Sequence, residues 1–194
     1  MTPVNIARFA DIVTPALAAG AIEHPGCPGS TGFREDYLVL HCLLRRANPR
    51  RVLEIGTHRG VGTKIIANAV PQAEVFSLDL PDAMAHLSQQ HPRHDGHTLG
   101  DQCDRPFRQI CEDSRTFPYG VLAPLDAAYI DGEHAFEHVK AETLGVIVAG
   151  ATLIVWHDCD MPPVLAGVVA ALPEDFDFTR VVDTRIGFAE RRPR

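Results

Sequence analysis

Several apolar runs in this chain stop at residues that can do chemistry. In RVLEIGTHRGVGT, Arg51 to Thr63, a short run carrying Glu54 breaks into Gly56, Gly60 and Gly62, and the helix-compatible KIIANAV follows at once. A strand, a tight turn and a helix start in that order let a ligand approach the backbone, because glycine has no Cβ in the way. They also aim free helix N–H groups at that ligand. The chemistry suggested is the binding of a nucleotide-like cofactor. AEVFSLDL ends a second run at Asp79, 23 residues after Gly56, where a carboxylate can accept hydrogen bonds from ribose hydroxyls. Thr57 and Leu80, beside the turn glycine and the strand-end acid, complete the contacts expected in this part. The plainer alternatives are an ordinary strand-to-helix turn and an acid capping a helix that opens at Pro81.

These residues need a scaffold that brings strand ends together. Strands are expected at 51–55, 74–78, 108–111, 126–131 and 151–158, with the last run, ATLIVWHD, apolar until His157 as a central parallel strand should be. Helices are expected over 3–19, 33–47, from the glycine turn to about Val70, 135–148 and 164–172. In the fourth of these, Phe136, Val139, Leu144 and Ile147 lie near one face. FTRVVDTRIGFAER closes the chain as two strands turning around Asp183-Thr184. Strands alternating with helices predict an α/β fold: a Rossmann-like, doubly wound, mostly parallel seven-stranded sheet with a C-terminal antiparallel hairpin. Residues 1–50 are expected to form a helical segment packing on a core domain of residues 51–194. In such a sheet the carboxyl ends of the strands form one rim, where ligands bind. On that rim fall the glycine turn, Asp79, the pair Asp113-Ser114, the run Asp131-Gly132-Glu133-His134 and the run His157-Asp158-Cys159-Asp160.

Composition narrows the function classes. With 194 residues, 45 % hydrophobic and 22 % charged, the chain suits a globular enzyme with a sizeable core. A net charge of −7 argues against a nucleic-acid partner. No apolar stretch is long enough for a membrane span, and the start MTPVNIARFADIV lacks a signal-peptide pattern. The five cysteines, at 27, 42, 103, 111 and 159, form no C-x-x-C pair and are expected to be reduced thiols in a cytoplasmic protein. The histidine run His91-x-x-His94-x-x-His97, with Asp95 inside it, is expected to be a solvated segment or a lid over the substrate rather than a metal site.

The glycine order, Glu54-x-Gly56-x-x-x-Gly60-x-Gly62, differs from the dinucleotide pattern G-x-G-x-x-G, which makes a dehydrogenase the weakest reading. It resembles motif I of class I S-adenosylmethionine-dependent methyltransferases, [DE]-x-G-x-G-x-G, with His58 in place of the middle glycine. The second half, ICEDSRTF, LDAAYIDGEHAFEHVKAE and GATLIVWHDCD, resembles small bacterial methyltransferases grouped with macrocin-type O-methyltransferases and cephalosporin-hydroxylase-like proteins. The resemblance covers roughly Arg51 to Arg191. It implies that Glu54, Gly56 and Gly60 hold the methionine part of S-adenosylmethionine, that Asp79 holds the ribose, and that Asp113 and Ser114 flank the adenine, with Asp131 bordering the same pocket. It further implies a divalent metal such as Mg²⁺ on Asp131, His157 and Asp158, with His134 as base and His157 as its rival. His157 stands where some members carry an acid.

The implied chemistry is coherent. O-methylation needs a nucleophilic hydroxyl beside an electrophilic sulfonium methyl. A cation held by hard carboxylate oxygens lowers the hydroxyl pKa, and a neutral imidazole takes the proton near neutral pH. The expected partner is a small-molecule acceptor, with a second copy of the chain left open. Two other classes stay open: a hydroxylase-like or otherwise non-methylating enzyme on the same fold, and a non-catalytic protein that keeps the cofactor pocket.

Overall fold

The computed structural model describes residues 3–22, 32–81, 84 and 98–193. His91, His94, His97 and Cys27 lie outside the described residues. In chain order the elements are β1 (Val4–Arg8), α1 (Phe9–Ile12), α2 (Pro15–Ala18), α3 (Gly32–Ala47), β2 (Arg51–Ile55), α4 (Val61–Ala69), β3 (Glu74–Asp79), β4 (Arg108–Cys111), a 3₁₀ turn (Tyr119–Leu122), β5 (Ala127–Ile130), α5 (Phe136–Val148), β6 (Leu153–Trp156), α6 (Pro162–Ala171), β7 (Phe176–Val182) and β8 (Gly187–Arg191).

The strands form one sheet in the order β1-β7-β8-β6-β5-β2-β3-β4. All neighbouring pairs are parallel except those made by β8, which is antiparallel to both β6 and β7. The chain fills the sheet outward from β2 through β3 to β4, then returns to β5 on the other side of β2 and proceeds to β6. That reversal opens a crevice beyond the carboxyl ends of β2 and β5. Register fixes what meets there. Ile55 pairs with both Leu78 and Ile130, and Ile130 pairs with Trp156. Gly56, Asp79, Asp131 and His157 therefore all emerge on one rim, one residue past those pairs.

Alternation along the strands explains both cores. Leu53, Ile55, Phe76, Leu78, Ala128, Ile130, Ile154 and Trp156 face the side covered by α5 and α6. Val52, Val75, Ala127, Tyr129, Leu153 and Val155 face the side covered by α3 and α4. The indole of Trp156 is fully buried and donates to Thr143 Oγ1 of α5 at 3.0 Å.

Two expectations need correction. Residues 3–19 do not form one helix. Val4–Arg8 is an edge strand parallel to β7, followed by two four-residue helices. Pro15 cannot lie inside a continuous helix, and the seven-residue β7 offers an edge whose N–H and C=O groups need partners. The sheet thus has eight strands rather than seven. On α5 the buried residues are Val139, Glu142, Thr143 and Val146, whereas Leu144 is exposed. The helix is rotated from the expected face because Gly145 lies against the Tyr119 ring and Glu142 reaches Ser114.

Candidate functional site

The glycine turn is shaped by close packing. Gly56 has φ +98, and a Cβ there would stand 2.1 Å from the Asp131 carbonyl oxygen. The end of β2 and the end of β5 are in contact only because residue 56 has no side chain. Gly60 has φ +84 and a Cβ would meet Gly100 Cα at 2.7 Å. His58, which takes the place of the middle glycine, has φ 43, a left-handed conformation that costs L-residues roughly 1–2 kcal/mol. The turn is held from outside by residues 100–102: Gly100 N donates to His58 O at 3.0 Å, Gln102 N to Arg59 O at 2.8 Å, and Arg59 makes a two-pronged pair with Asp101.

Under the turn lies a buried polar brace. The Glu54 carboxylate is 1 % exposed and accepts from Thr63 Oγ1 and Ser77 Oγ, both at 2.5 Å. Ser77 and Thr57 share a hydrogen bond at 2.6 Å, and Gln109 Nε2 donates to Thr57 Oγ1 at 2.9 Å. Glu54 and Thr57 were expected to touch the cofactor. Their side chains are instead turned inward, because β2 is a central strand and its acid is enclosed by α4 and β3. A Cβ on Gly62 would meet Glu54 Oε1 at 2.3 Å, which is why the first turn of α4 carries a glycine there. Burial pushes the Glu54 pKa up to about 8, although the Ser77 and Thr63 hydroxyls pull it down. The folded protein therefore holds this proton more tightly than the unfolded chain. Stability is expected to fall as pH rises from the ordinary carboxylate range through about 8. Glu54→Gln should make that alkaline loss shallower in thermal unfolding, and parallel curves for variant and parent would refute the assignment.

Asp79 is placed as expected. It ends β3 on the rim, with His58 N donating to Oδ2 at 2.8 Å and Leu80 N to Oδ1 at 2.7 Å. Asp113 and Ser114 follow β4 but turn elsewhere. Asp113 is gripped by Arg115, whose hydrogen bonds hold its pKa below the usual carboxylate value despite burial. Ser114 donates to Glu142 Oε1 at 2.6 Å and its carbonyl accepts from Tyr119 OH at 2.9 Å.

The strand ends of β5 and β6 carry the densest cluster. His134 Nε2 lies 2.8 Å from Asp158 Oδ2, and His157 Nδ1 lies 2.9 Å from that same oxygen and 3.3 Å from Asp131 Oδ1. His157 Nε2 lies 3.1 Å from Asp36 Oδ2, on α3. Arg185 Nη1 pairs with Asp158 Oδ1 at 2.8 Å, and Arg185 N donates to Asp36 Oδ1 at 2.9 Å. Tyr129 OH donates to Asp131 Oδ2 at 3.0 Å. Carboxylates only accept, so each His157 nitrogen facing one carries a hydrogen. Burial opposes that charge, but Asp131 and the bonds to Asp131, Asp158 and Asp36 outweigh it and push the His157 pKa up to about 12. His134 is raised mainly by its bond to Asp158, against a smaller effect of burial. Burial of Asp158 is likewise outweighed by His134 and His157, which hold it well below the usual carboxylate range.

His157 was expected to be a metal ligand and a rival base. With acids on both ring nitrogens and 4 % exposure, it presents a lone pair to neither a cation nor a substrate. Among the described residues, Asp131, His134 and Asp158 bring their donor atoms within 4.8 Å of one another. They fit a divalent cation poorly, because Asp158 Oδ2 is shared by His134 and His157, Asp131 Oδ2 accepts from Tyr129, and the Arg185 guanidinium forms an ion pair at Asp158 Oδ1. Asp36 and Arg185 went unnoticed in the sequence, although Asp36 precedes Val39, Leu40 and Leu43 by 3, 4 and 7 residues, the spacing of a buried face.

A methyltransferase-domain family matches residues 53–159, more than half of the chain, from β2 to the end of this cluster. The chain belongs to that family. The methyltransferase is 40 % identical over 62 residues to the Mycobacterium tuberculosis protein named "Probable O-methyltransferase Rv1703c". That match takes in 32 % of this chain and spans about a quarter, 27 %, of the relative's length. Among solved structures, cofactor-bound Rv0187 from MTB superposes with TM-score 0.59 at 21 % identity, covering 92 % of this methyltransferase and 88 % of that chain. TomG from Streptomyces achromogenes, an O-methyltransferase of tomaymycin synthesis solved with SAM, gives TM-score 0.57 at 17 % identity, covering 93 % and 91 %. These likenesses establish the Rossmann-like methyltransferase fold, including the parallel sheet and its antiparallel strand.

Proposed function

We propose that the chain is an S-adenosylmethionine-dependent O-methyltransferase acting on a hydroxyl of a small molecule. The observation that carries the reading is the His134–Asp158 pair at 2.8 Å, set on the same rim as the glycine turn and Asp79. The residues present fit the cofactor: a turn closed only by glycines, and an acid at the end of β3 aligned by two backbone N–H groups. Asp79 would accept from the ribose, the backbone at 56–58 would face the methionine part, and the backbone of Asp113 and Ser114 would border the adenine. When bound, the cofactor supplies an electrophilic methyl group on a sulfonium. Asp158 fixes His134 with a hydrogen on Nε2, which places the imidazole lone pair on Nδ1. His134 then takes the proton from the acceptor hydroxyl as that oxygen becomes a nucleophile. With cofactor and acceptor both bound on this rim, holding them in line would remove much of the entropic barrier.

The described cysteines, Cys42, Cys103, Cys111 and Cys159, are free thiols, and no described helix is long and apolar enough to cross a membrane. Both fit a reaction in the cytoplasm.

Incubation with methyl-labelled S-adenosylmethionine and a panel of phenols, sugars and other small hydroxyl compounds should give labelled ether product and demethylated cofactor in equal amounts. Cofactor binding with no transfer to any acceptor would instead support a binding protein. Asp79→Ala should weaken binding of the demethylated cofactor by on the order of 1.5–3 kcal/mol, as for hydrogen bonds to a charged group. NAD should not bind. Unchanged affinity in calorimetry would remove Asp79 from the site.

A further inference from the structure

The carboxylates at the ends of β5 and β6 already face basic groups and a hydroxyl that belong to the chain itself. Asp158 Oδ2 is shared by His134 Nε2 and His157 Nδ1, and Oδ1 faces Arg185. Asp131 Oδ1 faces His157 and Oδ2 accepts from Tyr129. His157 lies inside this ring of acids with 4 % exposure, and its far nitrogen is gripped by Asp36, itself 1 % exposed. Asp36 is in turn fixed through its second oxygen by the backbone of Arg185. Three acids, Asp36, Asp131 and Asp158, are thus matched by two basic side chains, His157 and Arg185, without counting His134.

We infer that His157 is a built-in cation standing where a divalent metal would bridge Asp131 and Asp158, and that Asp36 is the positioning residue that keeps it there. A metal entering this ring would have to displace N–H donors from both acids while standing in contact with a cationic ring and a guanidinium. Unlike an ion, the imidazole is held on both sides, so it fixes the direction in which Asp158 presents itself to His134. The inference deepens the proposed methyl transfer and rests on that reading for its consequence: proton removal at His134 without a metal. Its test does not depend on turnover.

Titration of the intact protein with Mn²⁺, followed by electron paramagnetic resonance, should show no saturable site. A single saturable site that Asp131→Asn abolishes would overturn the inference. His157→Asp puts a carboxylate in place of the ring and should create a Mn²⁺ site at this cluster. A folded His157→Asp protein that takes no Mn²⁺ counts against the inference. Should that variant fail to fold, His157→Asn removes the charge with little change of volume and should likewise raise Mn²⁺ affinity above that of the parent. Nitrogen-15 spectra supply the second arm. Both His157 nitrogens should carry hydrogen at neutral pH in the parent, and Asp36→Asn should convert the ring to a neutral tautomer. A bare His157 nitrogen in the parent would sink the inference even if no metal binds.

Discussion

His134→Ala is expected to lower methyl-transfer turnover by roughly 10²–10⁴, the usual range for loss of a general base. The demethylated cofactor should bind the variant almost as tightly as the parent, because Asp79 and the glycine turn are untouched. In the parent, turnover should fall as pH drops through the His134 pKa. The acid limb should lie above the ordinary histidine value of 6.5, because Asp158 stabilises the protonated ring. Steady-state kinetics across pH, with calorimetry for the cofactor, separates the outcomes. Near-native turnover in His134→Ala would leave proton removal to water and discard the assigned role. His157→Ala should behave differently. It strips Asp36 and Asp158 of a shared cationic partner inside the protein, and breaking such a pair costs about 3–5 kcal/mol. Its defect should therefore be seen first in unfolding.

The second large effect belongs to Gly56. Gly56→Ala combines a left-handed backbone with a side chain 2.1 Å from a carbonyl oxygen of the neighbouring strand end. The expected loss is about 3 kcal/mol or more, from strain and overpacking together. Gly20 serves as control. It has φ +77 but nothing within 4 Å of a Cβ, so Gly20→Ala should show the backbone cost alone, on the order of 1–2 kcal/mol. Equal destabilisation in chemical unfolding would mean that the contact between β2 and β5 relaxes at no cost, and the packing argument would fail.

Where sequence reading succeeded and where it stopped has a physical pattern. Buried parallel strands such as LIVW and AAYI are legible because both faces are covered, so their apolar runs are continuous. Their ends are legible because polarity returns where burial stops, which placed Asp79, Asp131, His134 and Asp158 on one rim. What could not be read is orientation and partnership. Whether Glu54 points to the rim or into the body depends on how α4 and β3 close around it. That His157 meets Asp36 depends on a contact across 121 residues. The clue was present in each case as an acid on a buried face: Asp36 ahead of Val39 and Leu40, and Glu142 between Val139 and Val146. The strand at Val4–Arg8 was hidden because an edge strand with a mostly exposed burial pattern lacks the apolar run that marks its central neighbours.

That edge strand has a consequence for the order of events during synthesis. The partner of Val4–Arg8, Phe176–Val182, leaves the ribosome some 170 residues after it. It cannot pair until almost everything between has been made. Contacts so far apart in the chain close slowly, whereas β2, β3 and α4 can assemble from their immediate neighbours as they emerge. This strand is thus among the last to join the sheet and, with few buried side chains to hold it, the first to leave. Amide exchange should be fastest along Val4–Arg8 and slowest in β2, β5 and β6.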